Sequence, residues 1–205
     1  MTRLLIATTN PHKLREIRGL LADARVELVG LSDLPPIPPP EEAGDTFQAN
    51  ARLKARYYAA GHRILTAAED SGLVVDALDG EPGVHSARFL RPDASYPERF
   101  AEILRRLGDR PDAPRTARFV CALAVVDESD VIFETTGTVE GEISDAPRGS
   151  GGFGYDPIFY YPPYGRTFGE VTEAEKLCVA HRGVAFRKLS DWLRTGAVPA
   201  VTPEF

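Results

Sequence analysis

Apolar positions along the chain follow two rhythms. Leu4, Leu5, Ile6 and Ala7 form a short unbroken run, which predicts a buried strand over Arg3 to Ala7. Leu14, Ile17, Leu20 and Leu21 then recur at helical spacing, while Lys13, Arg15, Glu16 and Arg18 take the other face. Residues 11 to 22 therefore read as an amphipathic helix, opened by Asn10 and by Pro11 at its first position. Val26 to Leu31 predicts a second strand. Five of the six residues from Pro35 to Pro40 are proline, which forbids helix or central strand and gives a stiff extended connector, read here as joining two lobes. Asp45 is placed as the cap of a helix running to about Gly61. Ile64 to Ala68 and Leu73 to Val75 are apolar runs split by Glu69-Asp70-Ser71-Gly72, which reads as an acidic turn.

A helix over about Tyr96 to Leu107 comes next, and Arg118 to Val126 with Val131 to Val139 reads as a β-hairpin around Asp127-Glu128-Ser129-Asp130. Thr172 and Glu175 have capping-box spacing, and Arg182 to Arg194 predicts a last amphipathic helix with Gly196 as its stop. Strands alternate with helices but include a hairpin, so the expected class is α/β on a mixed sheet.

Composition narrows the possibilities. At 205 residues and 43% hydrophobic, the chain has the make-up of a globular protein of one domain, or of two lobes sharing a core. Its 24 basic against 30 acidic residues give a net charge of −6, so the surface as a whole does not invite nucleic acid or anionic lipid. The longest stretches without a charge are nine residues, such as Pro157 to Gly165, far short of the ~20 a membrane-spanning helix needs. The first residues lack the apolar core of a signal peptide, so the expected location is the cytoplasm. Cys121 and Cys178 have no paired spacing and read as packing residues.

Four segments carry candidate chemistry. Thr8-Thr9-Asn10-Pro11-His12-Lys13 joins a strand end to a helix start, where a partial positive charge, two hydroxyls, an amide and an ammonium would suit a phosphate; Asn10 as a plain cap is the other reading. Lys54 projects onto the inward stripe of its helix with Phe47, Ala51 and Tyr58, beside Asn50, so its ammonium must snorkel out or meet an anion. Glu69-Asp70-Ser71-Gly72 offers adjacent oxygen ligands suited to Mg²⁺, with one carboxylate available as a base; Glu41 and Glu42 are candidate further ligands. The alternative is an acidic loop facing water.

The fourth segment, Arg148 to Pro157, contains G-x-G-x-x-G at Gly149, Gly151 and Gly154, but Pro157, Pro162 and Pro163 follow, so it cannot open the helix of a dinucleotide fingerprint. It reads instead as a pliable backbone presenting Phe153 and Tyr155 for stacking and Asp156 for hydrogen bonding to a base, or as a turn feeding a buried strand. Lys176 and the pair His181-Arg182 add cations farther on. Taken jointly, these segments point to a nucleotide phosphate.

The same residues resemble the inosine triphosphate pyrophosphatase family. The likeness runs nearly end to end: Thr8-Thr9-Asn10 with Lys13 and Glu16; Glu41-Glu42-Ala43-Gly44 with Phe47, Asn50-Ala51 and Lys54-Ala55; Asp70-Ser71-Gly72-Leu73; Pro82-Gly83 with Ser86-Ala87-Arg88; Gly151 to Phe159; and Glu175-Lys176 with His181-Arg182-Gly183. The resemblance implies an elongated α/β fold over residues 1 to 205, a single domain of two lobes on a mixed, twisted sheet with flanking helices and a central cleft. It also implies a homodimer and Mg²⁺-dependent hydrolysis of ITP, dITP and XTP to the monophosphate and pyrophosphate.

By that likeness Thr8, Thr9, Asn10, Pro11, His12, Lys13 and Lys54 would hold the phosphates, Asp70 would be proton acceptor and metal ligand, and Ser71 would touch substrate. Glu41 would be a further metal ligand, ahead of Glu42 and Glu69. Phe153, Gly154, Tyr155 and Asp156 would line the base pocket with Lys176, His181 and Arg182. His85, Ala180 and the proline run depart from the family pattern. A pyrophosphatase for another modified base and a non-catalytic nucleotide sensor remain the alternatives.

Overall fold

A computed structural model describes residues Thr2–Thr195; Gly196, read above as a helix stop, lies outside the described residues. In chain order the elements are β1 (Thr2–Ile6), α1 (Pro11–Leu20), β2 (Val26–Gly30), α2 (Phe47–His62), β3 (Thr66–Val75), α3 (Tyr96–Gly108) and β4 (Thr116–Asp127). β5 (Asp130–Ile143), β6 (Phe159–Tyr161), β7 (Arg166–Thr167), α4 (Glu173–Val179) and α5 (His181–Arg194) complete the described fold. The strands form one sheet in the order β2-β1-β3-β4-β5-β6-β7. β1 pairs parallel with both β2 and β3, whereas β5 with β6 and β6 with β7 are antiparallel, so the α/β reading on a mixed sheet is borne out.

Two compact units divide the chain. Of the described residues, the first comprises 2–70, 121–137 and 182–195, and the second 71–120 and 138–181. Each has its own apolar core. In the first unit Leu4, Ile6, Ile17, Leu21, Cys121, Leu123, Phe186 and Leu189 pack together, which places α1 and α5 on one face of the strands. In the second, Leu73, Phe100, Ile103, Phe119, Tyr155, Phe159 and Phe168 form the cluster.

Parallel crossovers are right-handed almost without exception. The β1-α1-β2 connection steps one way across the sheet and the passage from β2 through α2 to β3 steps back past β1, so α1 and α2 lie on opposite faces. That placement decides which side chains meet at the end of β1.

Several expectations need correction. The acidic stretch from Glu69 to Gly72 is no turn but the interior of β3, a single ten-residue strand, because its charges find partners that let them be buried. The proline run lies wholly inside the first unit and joins nothing to the second. The cap of α2 is Thr46, not Asp45: its hydroxyl accepts from the Ala49 amide at 3.1 Å. Glu16, assigned to the outer face of α1, is only 4% exposed. Of the two cysteines, Cys178 is exposed rather than packed.

Candidate active site

The first turn of α1 forms as its residues dictate. Asn10 is extended at φ −83°, ψ 115°, and its Oδ1 accepts from the backbone N–H of His12 at 2.9 Å and of Lys13 at 3.2 Å, while Pro11 has no N–H to satisfy. The Thr8 hydroxyl in turn accepts from the Asn10 amide at 3.2 Å. Because Asn10 already takes two of the orphan donors, what this segment offers an anion is chiefly the side chains of Thr8, Thr9 and Lys13 and the helix dipole. Thr9, Pro11 and His12 are exposed, and Lys13 is half-buried.

On the α1 and α5 face, Glu69 is the centre of a buried charge cluster. Its Oε1 accepts from Arg182 Nη2 at 2.8 Å and stands 3.0 Å from Lys13 Nζ; its Oε2 accepts from Arg182 Nε at 3.0 Å and from the Cys121 thiol at 2.8 Å. Arg182 also donates to Glu16 at 2.6 Å. Burial alone would push the Glu69 carboxyl up, but Arg182 and Lys13 outweigh it and hold the group well below the usual carboxylate range. Burial, with Glu69 alongside, pushes the Cys121 thiol well above its ordinary value, so Cys121 acts as a neutral donor.

On the α2 face the partners are different. Lys54 Nζ lies 3.1 Å from Asp70 Oδ1 and 3.0 Å from Glu42 Oε1, with only 11% of its side chain exposed. Burial would lower the Lys54 pKa, yet Asp70 and Glu42 overcome that and raise it, so the ammonium stays charged. Asn50, fully buried, holds the segment that carries Glu42. Its Oδ1 accepts from the Gly44 amide at 2.8 Å, and its Nδ2 donates to the Gly44 carbonyl at 3.2 Å and to Asp70 Oδ2 at 3.1 Å.

A carboxylate oxygen has two lone pairs, so each Asp70 oxygen keeps an acceptor site beside the bond described. Glu42 and Asp70 thus form an oxygen pair around one cation, a donor set that fits a hard divalent ion. Glu41 is exposed, and among the described residues no group of three His, Cys, Asp or Glu side chains is placed to hold a metal ion.

A cavity of about 410 Å³ lies beside the start of α1, lined by Thr8, Thr9, Asn10, Ile37, Tyr58 and His62 among others. Its proline wall is the stiff connector of the first unit, and Tyr57 ties that connector down by donating to the Pro38 carbonyl at 2.7 Å.

The second unit contains the glycine-rich segment. Asp156, 2% exposed, accepts through Oδ2 from the Phe153 amide at 2.7 Å and from Lys176 Nζ at 2.6 Å, and Lys176 lies 4.5 Å over the centre of the Phe153 ring. Gly152 has φ +67°, and a Cβ there would come 2.1 Å from Asp156 Oδ2, so only glycine fits. Gly154 is also left-handed, at φ +64°.

Tyr155 is a core residue, 3% exposed, whose hydroxyl donates to the Ser86 carbonyl at 2.8 Å. His181, 5% exposed, stacks on Phe119 with ring centres 4.9 Å apart. The half-buried Phe153 is therefore the ring of this segment best placed to meet a ligand. Asp156-Pro157-Ile158 makes one 3-10 turn and leads directly into β6, not into an α-helix.

Within the first unit the structure brings Lys54, Asp70 and Glu42 together, and separately Lys13, Glu69 and Arg182. Within the second it brings Phe153, Gly154, Asp156 and Lys176 together. Ser71 follows Asp70 in β3 and is half-buried. Arg182 is 1% exposed and bound to two carboxylates. Sequence reasoning missed Glu16 and Cys121 as members of the charged cluster. The spacing of Glu16 three residues after Lys13 was the available signal.

The sequence model of the Ham1 family matches residues 4–192. A protein of an Exiguobacterium species named dITP/XTP pyrophosphatase is 47% identical over 189 residues, 91% of this chain and 94% of its own length. One of the same name from Shigella flexneri is 42% identical over 96% of this chain and all of its own. The solved structure of a HAM1 protein from Coxiella burnetii superposes with a TM-score of 0.87 at 38% identity, covering 95% of this chain and 100% of that one.

Proposed function

The chain belongs to the Ham1 family, and on that premise we propose that it hydrolyses non-canonical purine nucleoside triphosphates, the dITP/XTP class, to the monophosphate and pyrophosphate. The observation that carries the chemistry is the trio Asp70, Lys54 and Glu42: two carboxylates around one buried ammonium, with Asp70 on β3 just beyond Ala67, the partner of Ile6 at the end of β1, Lys54 on α2 and Glu42 in the loop before it. Ligands of open α/β sheets gather at strand carboxyl ends, and Thr8 to Lys13 leave β1 at such an end.

In this reading Lys13 and Lys54 neutralise the phosphates and the Thr8 and Thr9 hydroxyls donate to them. Asp70 takes the proton of the attacking water through an oxygen that also accepts from Lys54 or Asn50. Glu42, by its contact with Lys54, is a better candidate for the second metal ligand than Glu41. Mg²⁺ bound there would supply charge neutralisation on the triphosphate. Phe153 would stack on the base and Lys176 would lie beside its edge, with Asp156 orienting both. A site whose donors meet a 6-oxo group leaves buried groups unpaired when adenine replaces it, which disfavours ATP strongly.

The homodimer rests on the family resemblance alone, and the choice of Mg²⁺ rests on that resemblance together with the all-oxygen donors of Asp70 and Glu42. No described helix is long and apolar enough to cross a membrane. The net charge of −6 supports a role away from nucleic acid. Pyrophosphate release from ITP, dITP, XTP, GTP and ATP with Mg²⁺ tests the reading: the first three should far exceed ATP. Equal rates on all five would remove the base specificity, and tight binding without product would make the protein a sensor.

A further inference from the structure

Glu69 and Asp70 are adjacent, both nearly buried and both acidic, which invites treating them as one metal-binding pair. Strand geometry forbids that. Successive side chains of a strand point to opposite faces, and the partners confirm it here: Glu69 meets α1, α5 and β4, Asp70 meets α2. The charges around Glu69 also sum to zero, Glu16 and Glu69 against Lys13 and Arg182. Three of these four side chains are 5% exposed or less, while Lys13 is 18% exposed, so Lys13 is the member a ligand can reach. An ammonium has three donors and Glu69 engages one of them at 3.0 Å, fixing a flexible side chain before substrate arrives.

We propose that Glu69, oriented by the Cys121 thiol and anchored by Arg182, is a positioning residue that holds Lys13 for the triphosphate and is not a ligand of the metal ion. The role deepens the pyrophosphatase reading and rests on it. It predicts that Glu69 acts on substrate affinity through Lys13, whereas a ligand acts on the metal requirement. The thiol donates to the Glu69 oxygen that does not face Lys13, and so sets the rotation of the carboxylate.

Steady-state kinetics of the full chain with ITP, at varied Mg²⁺, test this in Glu69→Gln, Lys13→Met, the double variant, Cys121→Ser and Cys121→Val. Glu69→Gln should raise KM for ITP about tenfold with the half-activating Mg²⁺ concentration within about twofold of wild type. The double variant should have the KM of Lys13→Met alone, since the two changes remove one function. Cys121→Val should raise KM in the same direction, and Cys121→Ser, which keeps a donor, should restore it.

A rise of about tenfold or more in the Mg²⁺ requirement of Glu69→Gln would make Glu69 a ligand and overturn the proposal, as would additive KM losses in the double variant. If Glu69→Gln does not fold, an unchanged KM in Cys121→Val overturns it. A wild-type chain that releases no pyrophosphate from any of the five nucleotides defeats the pyrophosphatase reading itself, a result distinct from any of these.

Discussion

Lys54 Nζ sits between Asp70 Oδ1 at 3.1 Å and Glu42 Oε1 at 3.0 Å, an ammonium occupying the kind of position a metal ion takes between two carboxylates. Asp70 is the member of this trio that strand β3 fixes most firmly, with Asn50 on its other oxygen. Asp70→Asn keeps the shape and the Lys54 neighbour but cannot accept a proton from water. Turnover of ITP should fall at least about 100-fold, since a general base contributes about 10² to 10⁴. The folded state should be retained, checked by circular dichroism; near-wild-type turnover would remove Asp70 from its role.

The two glutamates after the proline run can be told apart. Glu42 shares a cation with Asp70, and Glu41 is exposed. Glu42→Gln should raise the half-activating Mg²⁺ concentration by about tenfold, as the loss of one hard ligand costs on the order of a charge-assisted contact, and Glu41→Gln should change it far less. Mg²⁺ titrations of both variants at saturating ITP decide it; the reverse order would return the ligand role to Glu41.

How much of this was legible beforehand differs from residue to residue. Lys54 was found because helical projection is local: Phe47, Ala51 and Tyr58 share its stripe and are buried, so its ammonium had to snorkel out or meet an anion, and the carboxylates of Asp70 and Glu42 decide for the second. The strand character of Glu69 to Gly72 was not legible. Four polar or flexible residues carry no strand pattern, and what makes them a strand interior is Arg182, 113 residues beyond Glu69. Glu16 was misplaced for the same reason, its partner Arg182 lying 166 residues away. Periodicity reports which face is apolar, and a buried ion pair breaks that rule at both ends. The base shelf was legible as glycine and aromatic chemistry, but not the pairing of Asp156 with Lys176, which takes up the carboxylate oxygen that faces Phe153.

Asn50 ties structure and activity together in a third prediction. Its side chain makes three hydrogen bonds within the protein, two to Gly44 and one to Asp70, and it is fully buried. Asn50→Ala leaves the Gly44 amide and an Asp70 oxygen short of a partner, which should destabilise the protein by about 1 to 3 kcal/mol. The segment carrying Glu42 would lose its tether, so the Mg²⁺ requirement should rise along with the loss in urea midpoint. A variant equally stable and equally active would show the tether to be dispensable.

In the second unit, Lys176→Met would leave Asp156 buried without the ammonium 2.6 Å from it. Breaking one side of a buried pair typically costs about 3 to 5 kcal/mol, whereas replacing both partners costs much less. Lys176→Met should therefore be markedly less stable in urea than the double variant Lys176→Met with Asp156→Asn. If the double variant is as unstable as the single, the burial of Asp156 is not what the lysine offsets.

The last prediction concerns acid. Glu175, at the third position of α4, has its carboxyl held at about 2 by the Thr172 backbone N–H, the Arg166 guanidinium and the Thr172 hydroxyl, against an ordinary value of 4.5. A carboxyl whose folded pKa is depressed contributes stability that is fully present above its unfolded pKa and is lost as pH falls toward the folded one. The cap on α4 should therefore be complete at neutral pH and fail only as pH drops from about 4.5 toward about 2. Glu175→Gln cannot ionise, so its thermal midpoint should lie below wild type at about pH 6 and approach it at about pH 3. Because Lys176 is the next residue, loosening of this cap should also weaken ITP binding in the same acid range. Parallel melting curves for the two proteins across that range, with a constant gap between them, would show that the capping carboxylate contributes nothing through its charge.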